Sequence, residues 1–293
     1  MQTGTSDHVD QGRRRAVKER IIMMRALWTA ASGMIAQQTN VDTISNNISN
    51  VNTTGYKSEK AEFKSLLYQT LQTETTSRNG DTKPISAQVG LGARVSSITS
   101  NYTNGALLAN DSDTAFALEG EGFFAVRGDD GQTYYTRNGQ FGWSVGVNGT
   151  TLTNASGFPV LDSNGNEIII PNNTTVSEVT VSNDGKFYYK DADGNDVDMN
   201  VQLGVYQFNN PAGLSKESGS LLAVTAASGN PMNELTTAGL ERSKVCQNYL
   251  EGSNVQVADE MVNLIVAQRA YELNSKAIQA ADDMMSQANQ LRR

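Results

Sequence analysis

Apolar residues recur at seven-residue intervals near both ends of this chain, and such rows commit both termini to long helices that need partners along their length. Leu27, Met34, Val41 and Ile48 form the first row, with Ala30, Ile44 and Val51 on the partner row and Gln37 as its single polar member. This is a coiled-coil seam. Gly33, Asn40 and Asn47 each lie one residue before a heptad position, so small and amide side chains flank the seam and fix its register. An amphipathic helix packed on a core fits less well, because no helical neighbour follows in sequence. The helix is expected to end within Asn46-Asn47-Ile48-Ser49-Asn50-Val51-Asn52-Thr53-Thr54-Gly55, residues that favour caps and turns.

The other end mirrors it. Val257, Leu264, Tyr271, Ile278 and Met285 are spaced by seven, and their partner row, Glu260, Ala267, Asn274, Ala281 and Ala288, is mostly small or polar. A second stripe runs through Val262, Val266, Ala270, Leu273, Ala277, Ala280, Met284 and Leu291, which is more apolar face than one partner helix covers. The helices would reach roughly 40 Å and 55 Å, too long for the inside of a compact domain.

Charge is distributed unevenly. The whole chain carries −8, yet segment 90–225 alone has 15 acids against six bases, while 23–60 and 254–293 are each within one charge of neutral. An acidic middle argues against a nucleic-acid partner, and near-neutral ends crowd against copies of themselves without strong repulsion. Cys246 is the only cysteine, which excludes an intrachain disulfide framework and a thiolate metal cluster within one chain, and His8, the only histidine, weighs heavily against zinc or Ser-His-Asp chemistry. No apolar run is long enough to span a bilayer, and no N-terminal stretch has the layout of a secretory signal.

Between the helices the period changes to short strands separated by Asp-Gly, Asn-Gly and Gly-Asn turns. Gly122–Val126, Thr133–Thr136, Glu167–Ile170, Val179–Val181, Lys186–Tyr189 and Val201–Phe208 read as strands of an antiparallel β domain. Gly120-Glu121-Gly122 and Gly90-Leu91-Gly92 neither follow a strand nor open a helix, so they are not phosphate loops. Asp191, Asp193, Asn195, Asp196 and Asp198 around Gly194 lack the spacing of a calcium loop and read as a solvated turn. Nothing in the order of the carboxylates selects a catalytic pair. The paired aromatics Phe123-Phe124, Tyr134-Tyr135 and Tyr188-Tyr189 read as one core and one surface residue each.

At the termini the match becomes specific. Met24 to Met34, then Gln37-Gln38, Asp42, Ile44-Ser45-Asn46-Asn47, Asn50, Asn52-Thr53 and Gly55-Tyr56-Lys57, closely resembles the N-terminal signature of flagellar rod and hook proteins. Leu250-Glu251-Gly252-Ser253-Asn254-Val255, Glu260-Met261-Val262, Gln268-Arg269-Ala270-Tyr271-Glu272 and Asn274-Ser275-Lys276 resemble its C-terminal counterpart. Tyr135 to Phe141 also fits, and Leu66 to Leu71 followed by Gln88 to Gly92 is most similar to the distal rod members. Those members carry an extra extended segment where residues 69–88 stand here, with the proline, Pro84, late in it.

The resemblance implies a structural subunit of the bacterial flagellar basal body, not an enzyme, with no cofactor, metal, small-molecule substrate or nucleic acid. It implies export through the flagellum-specific type III apparatus without a cleaved signal, and assembly into a helical homopolymer that contacts proximal rod and hook subunits. The expected fold is α+β and discontinuous, with long terminal helices forming a coiled-coil-like axial domain around a central antiparallel all-β domain. Its divisions are 1–22 a disordered extension translated through a misplaced start, 23–54 an axial helix, 55–89 a linker with a hairpin-like segment, 90–225 the β-rich outer domain, 226–252 a return linker and 253–293 the second axial helix. The seam residues Leu27, Met34, Val41, Ile44, Ile48, Val51, Val257, Leu264, Tyr271, Ile278 and Met285 are the expected assembly surface. Asn46, Asn47, Asn50, Gly55, Gln268, Arg269, Tyr271 and Asn274 are the signature residues. A proximal rod or hook subunit, a surface adhesin whose β domain binds glycans and, last, an enzyme acting on the cell wall are the alternatives.

Overall fold

A computed structural model describes residues 5–72, 87–146, 149–170, 179–190 and 196–290, so the Asp191 to Asn195 turn and most of the 69–88 segment lie outside the described residues. The chain divides into two compact units, one made of Met1–Asn46, Lys60–Thr99 and Ala258–Arg293, the other of Asn47–Glu59 and Ser100–Val257.

The first unit holds both long helices. Helix α1 spans Thr5–Ser49 and α2 spans Val257–Gln290. Helix α1 thus begins at Thr5, inside the stretch 1–22 that the sequence set apart as an extension. From Arg13 to Ser32 the sequence has neither Gly nor Pro and is rich in Arg, Ala, Lys, Glu, Ile, Met and Leu, so nothing stops the helix from propagating backwards. It ends where the Asn-rich stretch begins, with tight turns closed by Asn50 N–H to the Asn47 carbonyl at 3.1 Å and Thr53 N–H to the Asn50 carbonyl at 3.1 Å. Asp259 and Glu260 sit in the first turn of α2, where their charge complements the helix dipole.

Four strands complete this unit: β1 (Glu59–Ser65), β2 (Tyr68–Gln72), β3 (Ala87–Gly90) and β4 (Ala93–Ser100). β1 pairs with β4 and β2 pairs antiparallel with β3, so the described ends of the 69–88 segment are the two arms of a ribbon. β4 belongs with the helices by its contacts, although the sequence placed residues 90 onward in the β domain. Gly92, at φ +116°, lies where any β-carbon would strike the Ser32 hydroxyl, and Arg25 donates to Gln69 Oε1 at 3.1 Å, so the ribbon packs on α1.

The second unit is β-rich. Its first strands are β5 (Leu107–Ala109), β6 (Phe116–Glu119), β7 (Phe123–Arg127), β8 (Thr133–Thr136), β9 (Phe141–Gly146) and β10 (Gly149–Asn154). There follow β11 (Ile169–Ile170), β12 (Val179–Val181), β13 (Lys186–Lys190), β14 (Asp196–Gln202) and β15 (Val205–Gln207). The last are β16 (Ser215–Glu217), β17 (Leu221–Ala223), β18 (Met232–Asn233), β19 (Lys244–Gln247) and β20 (Tyr249–Glu251). The largest sheet has six strands in the order β16-β17-β8-β7-β15-β18, and β11-β10-β9 and β12-β13-β14 form three-stranded sheets.

Both faces of β7 are covered. Phe124 and Val126 enter one core with Phe116, Phe141, Leu152 and Phe187, while Phe123 and Ala125 enter a second with Tyr135, Leu161, Phe208 and Leu222. Phe123 and Phe124 are both 0% exposed, so the expected division into one core and one surface aromatic fails here. The alternation sends them to opposite faces as it must, but each face meets its own core.

The span Val201–Phe208, read as one strand, is two. Gly204 breaks it, because a β-carbon there would lie 2.5 Å from the Asp162 carbonyl oxygen. Residues 226–252, read as a return linker, contain β18, β19 and β20. β19 pairs with β6 and buries Val245 in the first core, while Cys246 is half-buried, and burial pushes its thiol pKa up.

Candidate assembly surface

The two heptad rows divide in a way their composition did not announce. On α1, Leu27, Met34, Val41 and Ile48 are half-buried, and Ala30 and Ile44 are buried; Val51 is half-buried beyond the end of the helix. On α2 the buried residues are Ala267 and Ala281, from the small partner row, while Leu264, Ile278 and Met285 are half-buried and Val257 and Tyr271 remain exposed. Gly33 marks a close approach of the two helices: a β-carbon on it would stand 2.9 Å from the Asn274 side-chain nitrogen. Small residues bring the backbones close, so alanines lie deepest and larger neighbours flank them.

Beyond that seam both helices carry uncovered apolar surface. Trp28 and Ile35 of α1 are 73% and 69% exposed, and on α2 Met261, Val262, Ile265, Val266, Leu273 and Met284 are all more than half exposed. Val262, Val266, Leu273 and Met284 belong to the second stripe read from the sequence, whose Ala270 is half-buried and whose Leu291 lies outside the described residues; Met261 and Ile265 were not part of it. Large exposed apolar patches are the kind of surface through which proteins associate.

The signature residues separate by role. Asn46, Gln268 and Arg269 are exposed, Arg269 donating to Glu272 one turn on at 2.8 Å. Asn274 is half-buried against Gly33. Asn47 is fully buried: its Nδ2 donates to the Glu59 carbonyl at 2.8 Å, and its Oδ1 accepts from Glu59 N–H at 2.8 Å and the Tyr56 hydroxyl at 3.1 Å. One amide therefore closes the segment after α1 into a loop. Asn50 and Gly55 are half-buried turn residues of that loop. Gly55 needs φ +68° and has the Arg137 carbonyl carbon 2.7 Å from where a side chain would start.

Sequence reasoning missed a buried cluster of charge. Lys57 Nζ bonds Glu251 Oε1 at 2.6 Å and the Thr103 carbonyl at 2.8 Å, and Arg137 lies 3.4 Å from the other Glu251 oxygen. All three side chains are almost wholly buried. Burial pulls the pKa values of Lys57 and Arg137 down, and the Glu251 carboxylate opposes that pull. Arg137 also donates to the Gly120 carbonyl at 2.8 Å and lies 4.9 Å from the centre of the Phe123 ring. The available signal was Lys57 after Gly55-Tyr56 and Glu251 before Gly252, opposite charges beside the two helices. Nothing in their spacing of 194 residues reveals the pairing.

Comparison with known proteins gives the same outline. A family profile described as "Flagella basal body rod protein" matches residues 27–57, "Flagellar hook protein FlgE/F/G D1 domain" matches 117–189, and "Flagellar basal body rod FlgEFG protein C-terminal" matches 247–291. The "Flagellar basal-body rod protein FlgG" of Borreliella burgdorferi is 42% identical over 273 residues, 92% of this chain and 100% of its own. Those of Caulobacter vibrioides and Bacillus subtilis are 40% and 34% identical, with the same shares of both chains covered. The chain belongs to the FlgG family of flagellar basal-body rod proteins.

Proposed function

We propose that this chain, a structural subunit of the distal rod, polymerises through its terminal helices into a tube that transmits torque to the hook. The observation that carries this reading is the apolar stripe of α2 left exposed beside the half-buried seam. Each such side chain covered by a neighbouring copy contributes about 1.5–3 kcal/mol, enough when summed to offset the ordering of two subunits. A contact between different surfaces of successive copies, where its rotation does not close a ring, grows a helical filament. In that polymer the heptad rows pack as a coiled-coil-like inner layer, and proximal rod and hook subunits are the neighbours at its two ends. The subunit reaches its place through the flagellar export apparatus without a cleaved signal peptide.

Electron microscopy of purified basal bodies tests this. A strain lacking the protein is expected to stop at a short rod, and the same strain supplied with residues 23–293 to build rod and hook. Complete basal bodies in the deletion strain would defeat the proposal.

A further inference from the structure

Within the β-rich unit, the segment after α1 is stitched to the segment that leads into α2. Gly55 N–H donates to the Glu251 carbonyl at 2.8 Å, Lys57 to the Glu251 carboxylate at 2.6 Å and Ser58 N–H to Asn254 Oδ1 at 2.7 Å. Asn254 also donates to the Asn101 carbonyl at 2.8 Å, so the stitch reaches the start of the sheet region. The interior charge that Asn47–Glu59 brings to this place is the Lys57 ammonium, 5% exposed. The other basic member of the cluster, Arg137, repels it, and Glu251 is the anion that receives it. An ammonium does not enter such a site beside a like charge without its counter-ion.

We infer that Glu251 is a completion latch, which makes docking of the segment Asn47–Glu59 conditional on the arrival of β20, the last strand before α2. A chain is made from its N-terminus, so the segment Asn47–Glu59 is synthesised long before β20 is. Until then Lys57 stays in water and the loop stays undocked. When Glu251 arrives it accepts from Lys57 and Gly105 N–H through Oε1 and from Gly55 N–H through its carbonyl, so one residue closes the joint with three bonds. The biological use of the latch rests on the assembly reading above, since it would hold back the foot of α1 until α2 is ready; the latch itself is a property of the single chain.

Hydrogen exchange followed by mass spectrometry on the full-length monomer tests it, with Glu251→Gln against the parent. Amides of residues 53–59 are expected to exchange about a hundredfold faster, while Phe123–Arg127 stays within about twofold of the parent. Lys244→Gln, which removes an exposed ion pair with Glu119 of 3.8 Å, is expected to change neither. Unchanged exchange at 53–59, or equal loss of protection at Phe123–Arg127, would overturn the latch. Should Glu251→Gln not fold, Asn254→Ala provides the same reading without touching the charges. Faster exchange at Ser58 by about tenfold with Phe123–Arg127 unmoved supports the latch, and acceleration of both, or of neither, overturns it. Neither variant is scored by polymerisation, so failure here leaves the assembly proposal standing.

Discussion

Gly33 of α1 faces Asn274 of α2 so closely that a β-carbon on the glycine would lie 2.9 Å from the amide nitrogen and 3.2 Å from the amide carbon. The obstacle is the end of a flexible side chain, so it yields to a methyl group but not to a larger one. Gly33→Ala gains helix propensity of about 1 kcal/mol and loses part of it in moving Asn274. Gly33→Leu is expected to cost about 1–3 kcal/mol by overpacking. Thermal melts followed by circular dichroism would show the difference. Combining Gly33→Ala with Asn274→Ala should be more stable than the two effects added, with a coupling of about 0.5 kcal/mol or more.

Exposure in the monomer separates the two stripes of α2 by experiment. Leu273, 66% exposed, has little to lose in the single chain, so Leu273→Asp is expected to shift monomer stability by no more than about 0.5 kcal/mol while abolishing polymerisation. Leu264→Asp and Val41→Asp, on half-buried rows, should also block polymerisation but lower the helical signal of the monomer. Sedimentation of polymer beside circular dichroism of monomer distinguishes the cases, and normal assembly by all three would count against the helical interface.

The first core of the β-rich unit should behave as a packed interior. Phe124 is 0% exposed, with its ring 5.2 Å from that of Phe141 in an edge-on arrangement. Phe124→Ala is expected to destabilise the unit by about 3–5 kcal/mol, read from the midpoint of urea unfolding.

Alkaline titration reaches the second core. Burial pushes the Tyr135 hydroxyl up to about 12 from an ordinary 10.0, and the neighbouring Tyr206 hydroxyl is raised by the same cause. The folded state holds the proton more tightly than the unfolded one. The resulting stabilisation is therefore complete below pH 10 and is lost as pH rises through about 12. Urea midpoints should hold steady up to pH 10 and then fall, and Tyr135→Phe, which keeps the ring against Phe208, should flatten that fall.

Both helices were legible because a period of seven is visible in a single chain without knowledge of its neighbours. Strands β7, β8, β12 and β13 were legible for the same reason, since each lies within one apolar run bounded by turns. β18, β19 and β20 were not, because short polar strands take their identity from partners far away: Val245 joins the core by pairing opposite Leu118 of β6. The rank order within the seam was hidden too. Hydrophobicity singled out Val257 and Tyr271, but depth in a helix contact is decided by how closely the backbones approach, which favours Ala267 and Ala281. Paired charges such as Lys57 and Glu251 leave no periodic trace at all.

The pairing of β5 with β20, Leu107 opposite Glu251, has a consequence for how such a protein changes over generations. From β5 the polypeptide runs out through the sheets of the β-rich unit and returns to β20 directly beside it. Surface turns between Ala109 and Tyr249 can lengthen or shrink without altering the spacing of these two strands, but Arg137, which reaches back to Glu251, is tied to them. Change in the β body is in that sense easiest at its surface turns and hardest at Arg137, where body and joint share one buried charge.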